Sequence, residues 1–120
     1  MKKNILILED DEELLDIVSY CLKSKGFKPY LAKNIDELFE ILKSSRIDIF
    51  FADIVIGDKK TTDYLDKILE LQPKISIILT SAHRDLLEKI RFVDKKAIIF
   101  EKPYKMEEVF KEIEALSSIK

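Results

Sequence analysis

The chain has 120 residues, 47% hydrophobic and 37% charged, with 21 basic against 23 acidic side chains and a net charge of −2. That length fits one domain with its own core. The even charge excludes a global basic field for nucleic acid, and a single cysteine excludes a disulfide framework or a cysteine-rich metal centre. No apolar run approaches the roughly 20 residues of a membrane span. Met1-Lys2-Lys3 leads straight into a short apolar run and then acids, which is not a signal-peptide pattern. The expectation is one cytoplasmic domain over 1–120, with no direct nucleic-acid or membrane partner.

Ile5-Leu6-Ile7-Leu8 is a short continuous apolar run, as in a strand buried on both faces. Leu14, Leu15, Val18 and Leu22 then recur at helical spacing, predicting a first helix from Glu12 to Lys25 that stops near Gly26. Phe27 to Ala32 reads as a second strand, with Pro29 marking a sheet edge. Asn34 can cap a second helix, with Glu37 three residues on and a stripe of Leu38, Ile41 and Leu42. Ile47 to Ala52 is the third strand, ending at Asp53, and the Phe50-Phe51 pair is read as strand packing. Thr61 or Thr62 is the expected cap of a third helix carrying Leu65, Ile68 and Leu69, broken by Pro73. Ile75 to Leu79 is the fourth strand. Leu86, Leu87, Ile90 and Val93 mark a fourth helix, Ala97 to Phe100 the fifth strand, and Met106, Val109, Phe110, Ile113 and Leu116 a final helix. Cys21 is expected in the core side of the first helix.

Strict alternation of buried strands with helices implies an α/β fold with a parallel sheet covered on both faces. In such an open, doubly wound sheet, sites form beyond the C-terminal strand ends. There the sequence places Glu9, Asp10 and Asp11 after the first strand and Asp53 after the third. Thr80, Ser81 and His83 follow the fourth, and Glu101, Lys102 and Pro103 the fifth. Converging carboxylates repel and raise one another's pKa. A hard divalent cation removes that repulsion, and all-oxygen ligation favours Mg²⁺ over zinc. A carboxylate beside such a cation and a lysine can act as nucleophile toward a phosphoryl group.

Four segments in order carry a resemblance over essentially the whole chain: Ile5-Leu-Ile-Leu-Glu-Asp-Asp-Glu-Glu-Leu14, Asp48-Ile-Phe-Phe-Ala-Asp53-Ile54, Ile77-Ile-Leu-Thr-Ser-Ala-His83 and Glu101-Lys102-Pro103-Tyr104. Together they resemble the receiver (response-regulator, CheY-like) domain of two-component signalling. The resemblance implies a flavodoxin-like sheet of five parallel strands in the order 2-1-3-4-5 with five helices. It implies Asp53 as phosphoacceptor and Mg²⁺ held by Asp10, Asp53 and the Val55 backbone carbonyl, with Glu9 acting through a water. Lys102 would pair with the acceptor and then with the phosphoryl group, and the bond to Pro103 would be cis. Ser81, followed by Ala82, matches the switch hydroxyl. Thr80 is the competing assignment because it restores the commoner separation from Lys102. His83 stands where the family's residue can modulate water access, or is a plain loop residue.

The implied partners are a histidine kinase or phosphotransfer protein and an output domain or target. A homodimer through helix four, strand five and helix five is a further expectation, and the chain itself is expected not to be an enzyme. Departures from the family pattern are equally specific. Ile99 stands three before the lysine where an aromatic switch residue is usual, so either Phe100 substitutes through a shifted register or that switch is absent. Gly57 stands where a proline usually follows the acceptor, Lys60-Thr61 replaces an Asp-Gly pair, and Lys95-Lys96-Ala97 shortens the turn before the fifth strand. These changes keep open a second reading, a receiver-like protein-binding scaffold with little phosphorylation. Flavodoxin-type FMN binding is opposed by the acidic loop after the first strand. A haloacid-dehalogenase-type phosphatase is opposed by Val55, where a second acid is needed.

Overall fold

The structure is a computed structural model and describes residues 3–82 and 97–118. Strands β1 (Asn4–Leu8), β2 (Lys28–Ala32), β3 (Ile49–Asp53), β6 (Ser76–Ser81) and β7 (Ala97–Glu101) form one sheet in the order β2-β1-β3-β6-β7. Every neighbouring pair is parallel. Counting only these strands, the order is the expected 2-1-3-4-5. Between β3 and β6 the chain adds a separate antiparallel ribbon, β4 (Val55–Ile56) with β5 (Lys59–Lys60).

Helices α1 (Glu12–Ser24), α2 (Ile35–Ser44), α3 (Leu65–Leu71) and the final helix (Met106–Ser118) connect or follow the strands. The expected fourth helix over Leu86 to Val93, the residue His83 and the turn at Lys95-Lys96 lie outside the described residues. No described helix is long and apolar enough to cross a membrane.

The helix ends follow their side chains. Asp11 caps α1 by accepting from the amides of Glu13 and Leu14. At the other end Gly26, with φ of 90°, closes a Schellman motif, its amide reaching Lys23 and the Phe27 amide reaching Leu22. Asn34 caps α2 through the amide of Glu37, as expected. Thr61 departs from expectation, because neither it nor Thr62 caps a helix through its side chain. Residues Thr61–Tyr64 form a 3₁₀ turn whose preceding residue makes no side-chain cap bond, and α3 begins only at Leu65.

Alternation along the strands divides the core in two. On one face Leu6, Phe50, Ile77 and Leu79 pack with Leu38, Leu42, Leu65 and Ile68 of α2 and α3. On the other Ile5, Phe51 and Ile78 pack with Leu15, Val18 and Leu22 of α1 and Val109 and Ile113 of the final helix. Phe50 and Phe51 therefore serve opposite faces. β2 is a sheet edge, where Pro29 is tolerated. Cys21 is half-buried and contributes to neither buried cluster.

Candidate functional site

The C-terminal strand ends converge as the parallel topology requires. Glu9 follows β1 and is 6% exposed, Asp53 ends β3, and Lys102 follows β7. The Lys102 ammonium donates to Asp53 Oδ2 at 2.8 Å and to Glu9 Oε1 at 3.1 Å. A single cation so bridges the ends of the first, third and last sheet strands. The peptide between Lys102 and Pro103 is cis, and the Lys102 amide is anchored on the Ser81 carbonyl.

Carboxylate oxygens of Glu9, Asp10 and Asp53 lie within 4.8 Å of one another. Among the described residues, this donor set is all hard oxygen, which fits Mg²⁺ or another hard divalent cation and not zinc. Burial pushes the Glu9 carboxyl above its ordinary value, against the lowering pull of Lys102. Burial draws Lys102 down, but its hydrogen bonds and charge contacts with Asp53 and Glu9 outweigh this and hold its pKa above the ordinary value. The site therefore keeps a firmly protonated lysine facing an acid cluster.

Thr80 and Ser81 are both buried and both lie within β6, which runs two residues beyond the expected strand end. The register sets Thr80 beside Asp53 and Ser81 beside Glu101. Strand alternation thus gives Thr80 the face of Asp53 and Ser81 the opposite one. The Thr80 hydroxyl donates to the Ala52 carbonyl at 3.5 Å, a bond at the limit of useful length. Val55 opens the ribbon two residues after Asp53.

The register also answers the question of the aromatic switch. Ile99 pairs with Leu79 and Phe100 with Thr80, so no shift brings Phe100 onto the face of Ile99. Ile99 packs with the α2–α3 cluster, whereas Phe100 packs with the α1 cluster. There Phe100 and Phe51 flank Tyr104, with ring centroids at 6.3 and 5.8 Å. Burial raises the Tyr104 hydroxyl's pKa.

Sequence reasoning named Thr61 as a helix cap and Gly57 as a departure from the family pattern, but missed how both shape the loop after Asp53. Thr61 is fully buried; its hydroxyl donates to the Asp53 carbonyl at 2.5 Å and its amide to the Ile54 carbonyl at 2.7 Å. The Gly57 amide donates to Asp10 Oδ2 at 2.9 Å. The signal that could have found the ribbon is Ile56-Gly57-Asp58-Lys59, a two-residue Gly-Asp turn between short strands.

An apolar groove of about 410 Å³, lined by Leu14, Ile17, Tyr104 and Met106, opens beside Lys102. A larger hollow of about 510 Å³ lies at the other end of the sheet, around Gln72 and Pro73, away from this chemistry.

Known proteins share this fold. The DNA-binding transcriptional regulator NtrC of Bradyrhizobium sp. (strain RP501 Parasponia) is 24% identical over 107 residues, covering 88% of this chain and 22% of that protein. The chain thus spans less than a quarter of this relative's length. The crystal structure of a CheY-like response regulator receiver domain protein from Methanospirillum hungatei JF-1 superposes with a TM-score of 0.87 at 24% identity, covering 98% of this chain and 95% of that one. A response regulator from Burkholderia pseudomallei, crystallised with a phosphorylated aspartic acid, a calcium ion and citrate, gives a TM-score of 0.81 at 19% identity, covering 98% and 74%. The family model of the response regulator receiver domain matches residues 5–114, and on that match the chain belongs to the receiver domains of two-component response regulators.

Proposed function

We propose that this chain accepts a phosphoryl group on Asp53 from a histidine kinase or phosphotransfer protein, in a Mg²⁺-dependent reaction, and thereby regulates a target or output domain. The observation that carries the reading is the contact of Lys102 with both Asp53 and Glu9, beside an acid cluster that Asp10 completes. An Asp53 carboxylate oxygen attacks phosphorus while the phosphorus–nitrogen bond to the donor histidine breaks, its electron pair staying with the imidazole. Asp10, Asp53 and the Val55 carbonyl would hold Mg²⁺, with Glu9 acting through a water. Bound there, the ion supplies positive charge against the clustered carboxylates and the phosphoryl oxygens.

Lys102 orients the Asp53 carboxylate before transfer, and its proton stays put because its pKa lies above the ordinary value. Once Asp53 carries the phosphoryl group, the ammonium pairs with a phosphoryl oxygen. Ser81 is the proposed switch hydroxyl and Thr80 the competing one. Rearrangement would reach partners through the face of the fourth helix, β7 and the final helix, of which the fourth helix lies outside the described residues. The same face is the proposed homodimer contact. In this reading the chain is a cytoplasmic substrate of its kinase, and its only catalysis is of its own phosphorylation and dephosphorylation. The phosphorylated aspartic acid of the Burkholderia pseudomallei neighbour supports it by analogy.

The scaffold reading draws on one observation: the α2–α3 face at β7 presents Ile99 where the usual aromatic would stand. Intact mass after incubation with a small phosphodonor, with and without Mg²⁺, separates the two. A Mg²⁺-dependent gain of one phosphoryl group, lost in Asp53→Asn, is the expected result. No gain with Mg²⁺ still bound, including with a kinase, would move the assignment to the scaffold. Ser81→Ala and Thr80→Ala then identify the hydroxyl, the correct one uncoupling phosphorylation from target binding while the other does not.

A further inference from the structure

We infer that the Gly57 backbone amide is a positioning group for the divalent cation, acting through Asp10. This rests on the Mg²⁺ reading above and concerns how this chain orients its own ligand.

Among the described residues, the Gly57 amide is the one hydrogen-bond partner of the Asp10 carboxylate, at 2.9 Å across 47 positions of sequence. Asp10 is itself exposed, on the short link between β1 and α1. Without that bond its carboxylate would be free to rotate. The bond engages one oxygen and leaves the other for a cation, the arrangement by which outer partners orient metal ligands.

The donor is held from both sides. Gly57 is the first central residue of the two-residue turn between β4 and β5, with φ of 62°. Asp58 has no positive φ, so the turn has the φ signature of type II′, which places glycine there. At the base of the ribbon Thr61 bonds to the carbonyls of Asp53 and Ile54. The ribbon is thus a brace, anchored on the acceptor's own backbone and reaching to Asp10. A Cβ at Gly57 would meet nothing within 4 Å. The position therefore requires a positive φ and an N–H, not space. A proline, usual at this place in the family, offers neither.

The coupling is reciprocal. If the amide orients Asp10 for the cation, Mg²⁺ must slow hydrogen exchange at the Gly57 amide. Three chains test this by amide-resolved NMR, with MgCl₂ as the probe: wild type, Gly57→Pro and Gly57→Asn. Asparagine keeps the N–H and is, after glycine, among the residues that primed turns accept at positive φ, so it strains the turn less than other side chains would. Gly57→Pro is expected to weaken Mg²⁺ binding about tenfold or more, and Gly57→Asn to restore it to within about twofold of wild type. Equal affinity in Gly57→Pro and wild type, or equal loss in both variants, overturns the proposal.

Should Gly57→Pro disturb the fold, Asp10→Ala decides without metal. Removing the acceptor is expected to speed Gly57 exchange while leaving the Thr61 amide protected. Unchanged Gly57 protection in Asp10→Ala overturns the tether. A wild-type chain that binds no Mg²⁺ overturns the metal reading and the tether's positioning role with it, while the metal-free exchange still reports the bond.

Discussion

The two faces of the sheet meet the acid cluster with different side chains. On the α1 side Phe51, Tyr104 and Phe100 form an aromatic layer next to Glu9, Asp53 and Lys102. On the α2–α3 side the aromatic contact among the described residues is Phe39 against Tyr64, at 6.0 Å, while β7 offers Ile99. Tyr104 lies two residues past Lys102 in the chain, and its ring meets both Phe51 and Phe100. The α1 face of the site thus carries an aromatic layer around Tyr104, whereas on the other face β7 contributes the aliphatic Ile99.

The sharpest test of that asymmetry uses the two adjacent phenylalanines. Phe50 is 0% and Phe51 3% exposed, so each change to alanine is expected to cost about 3–5 kcal/mol in urea unfolding. Their effects on the site should differ. Phe51→Ala removes the ring against Tyr104 and should shift the Lys102 and Tyr104 resonances in the folded protein. Phe50→Ala should leave both near their wild-type positions. Equal shifts in the two variants would mean that the faces do not separate in this way.

Lys102→Met comes next, at about 1–3 kcal/mol near neutral pH without metal. It leaves Glu9 and Asp53, with side chains 8% and 14% exposed, facing each other without a cation. Burial already holds the Glu9 carboxyl above its ordinary value in the folded chain. As pH falls through that raised value Glu9 takes up its proton, the repulsion ends and the variant's deficit should shrink. On the alkaline side the wild type's advantage is complete below the ordinary lysine value of 10.5 and is lost as pH rises through the higher folded value. Stability curves of the two proteins should thus separate most between these limits and close at both ends. A deficit that stays constant into acid would show that lost packing of the lysine stem, not unpaired charge, is responsible.

How far the sequence shows these features depends on the range of the interactions that make them. β1, β3 and β6 are runs buried on both faces, and α1 and α2 carry apolar stripes with caps, so local pattern is enough to find them. Glu9, Asp53 and Lys102 were legible because parallel topology gathers strand ends wherever the chain places them. The ribbon was not, because two-residue strands have no periodicity to read. Thr61 looked like a cap because a threonine before an apolar stripe is one. Its actual partner, the Asp53 carbonyl, exists only once the ribbon has brought the chain back. The face of Phe100 needed the β6–β7 register, which no local pattern in the sequence supplies.

The smallest expected effect compares the helix caps on the two faces. Asn34→Ala removes one bond of 2.9 Å to the Glu37 amide and should cost about 1 kcal/mol. Asp11→Ala removes longer bonds of 3.1 and 3.3 Å, but also a negative charge next to Glu9 and Asp10. Relief of that repulsion offsets part of the lost cap, so Asp11→Ala should cost less than Asn34→Ala in metal-free urea unfolding. Added Mg²⁺ should widen the Asp11→Ala deficit, because a cation that neutralises the cluster removes the relief and leaves only the lost cap. The Asn34 deficit should stay as it was. If Mg²⁺ leaves both deficits unchanged, Asp11 stands outside the field of the acid cluster and acts as an ordinary cap.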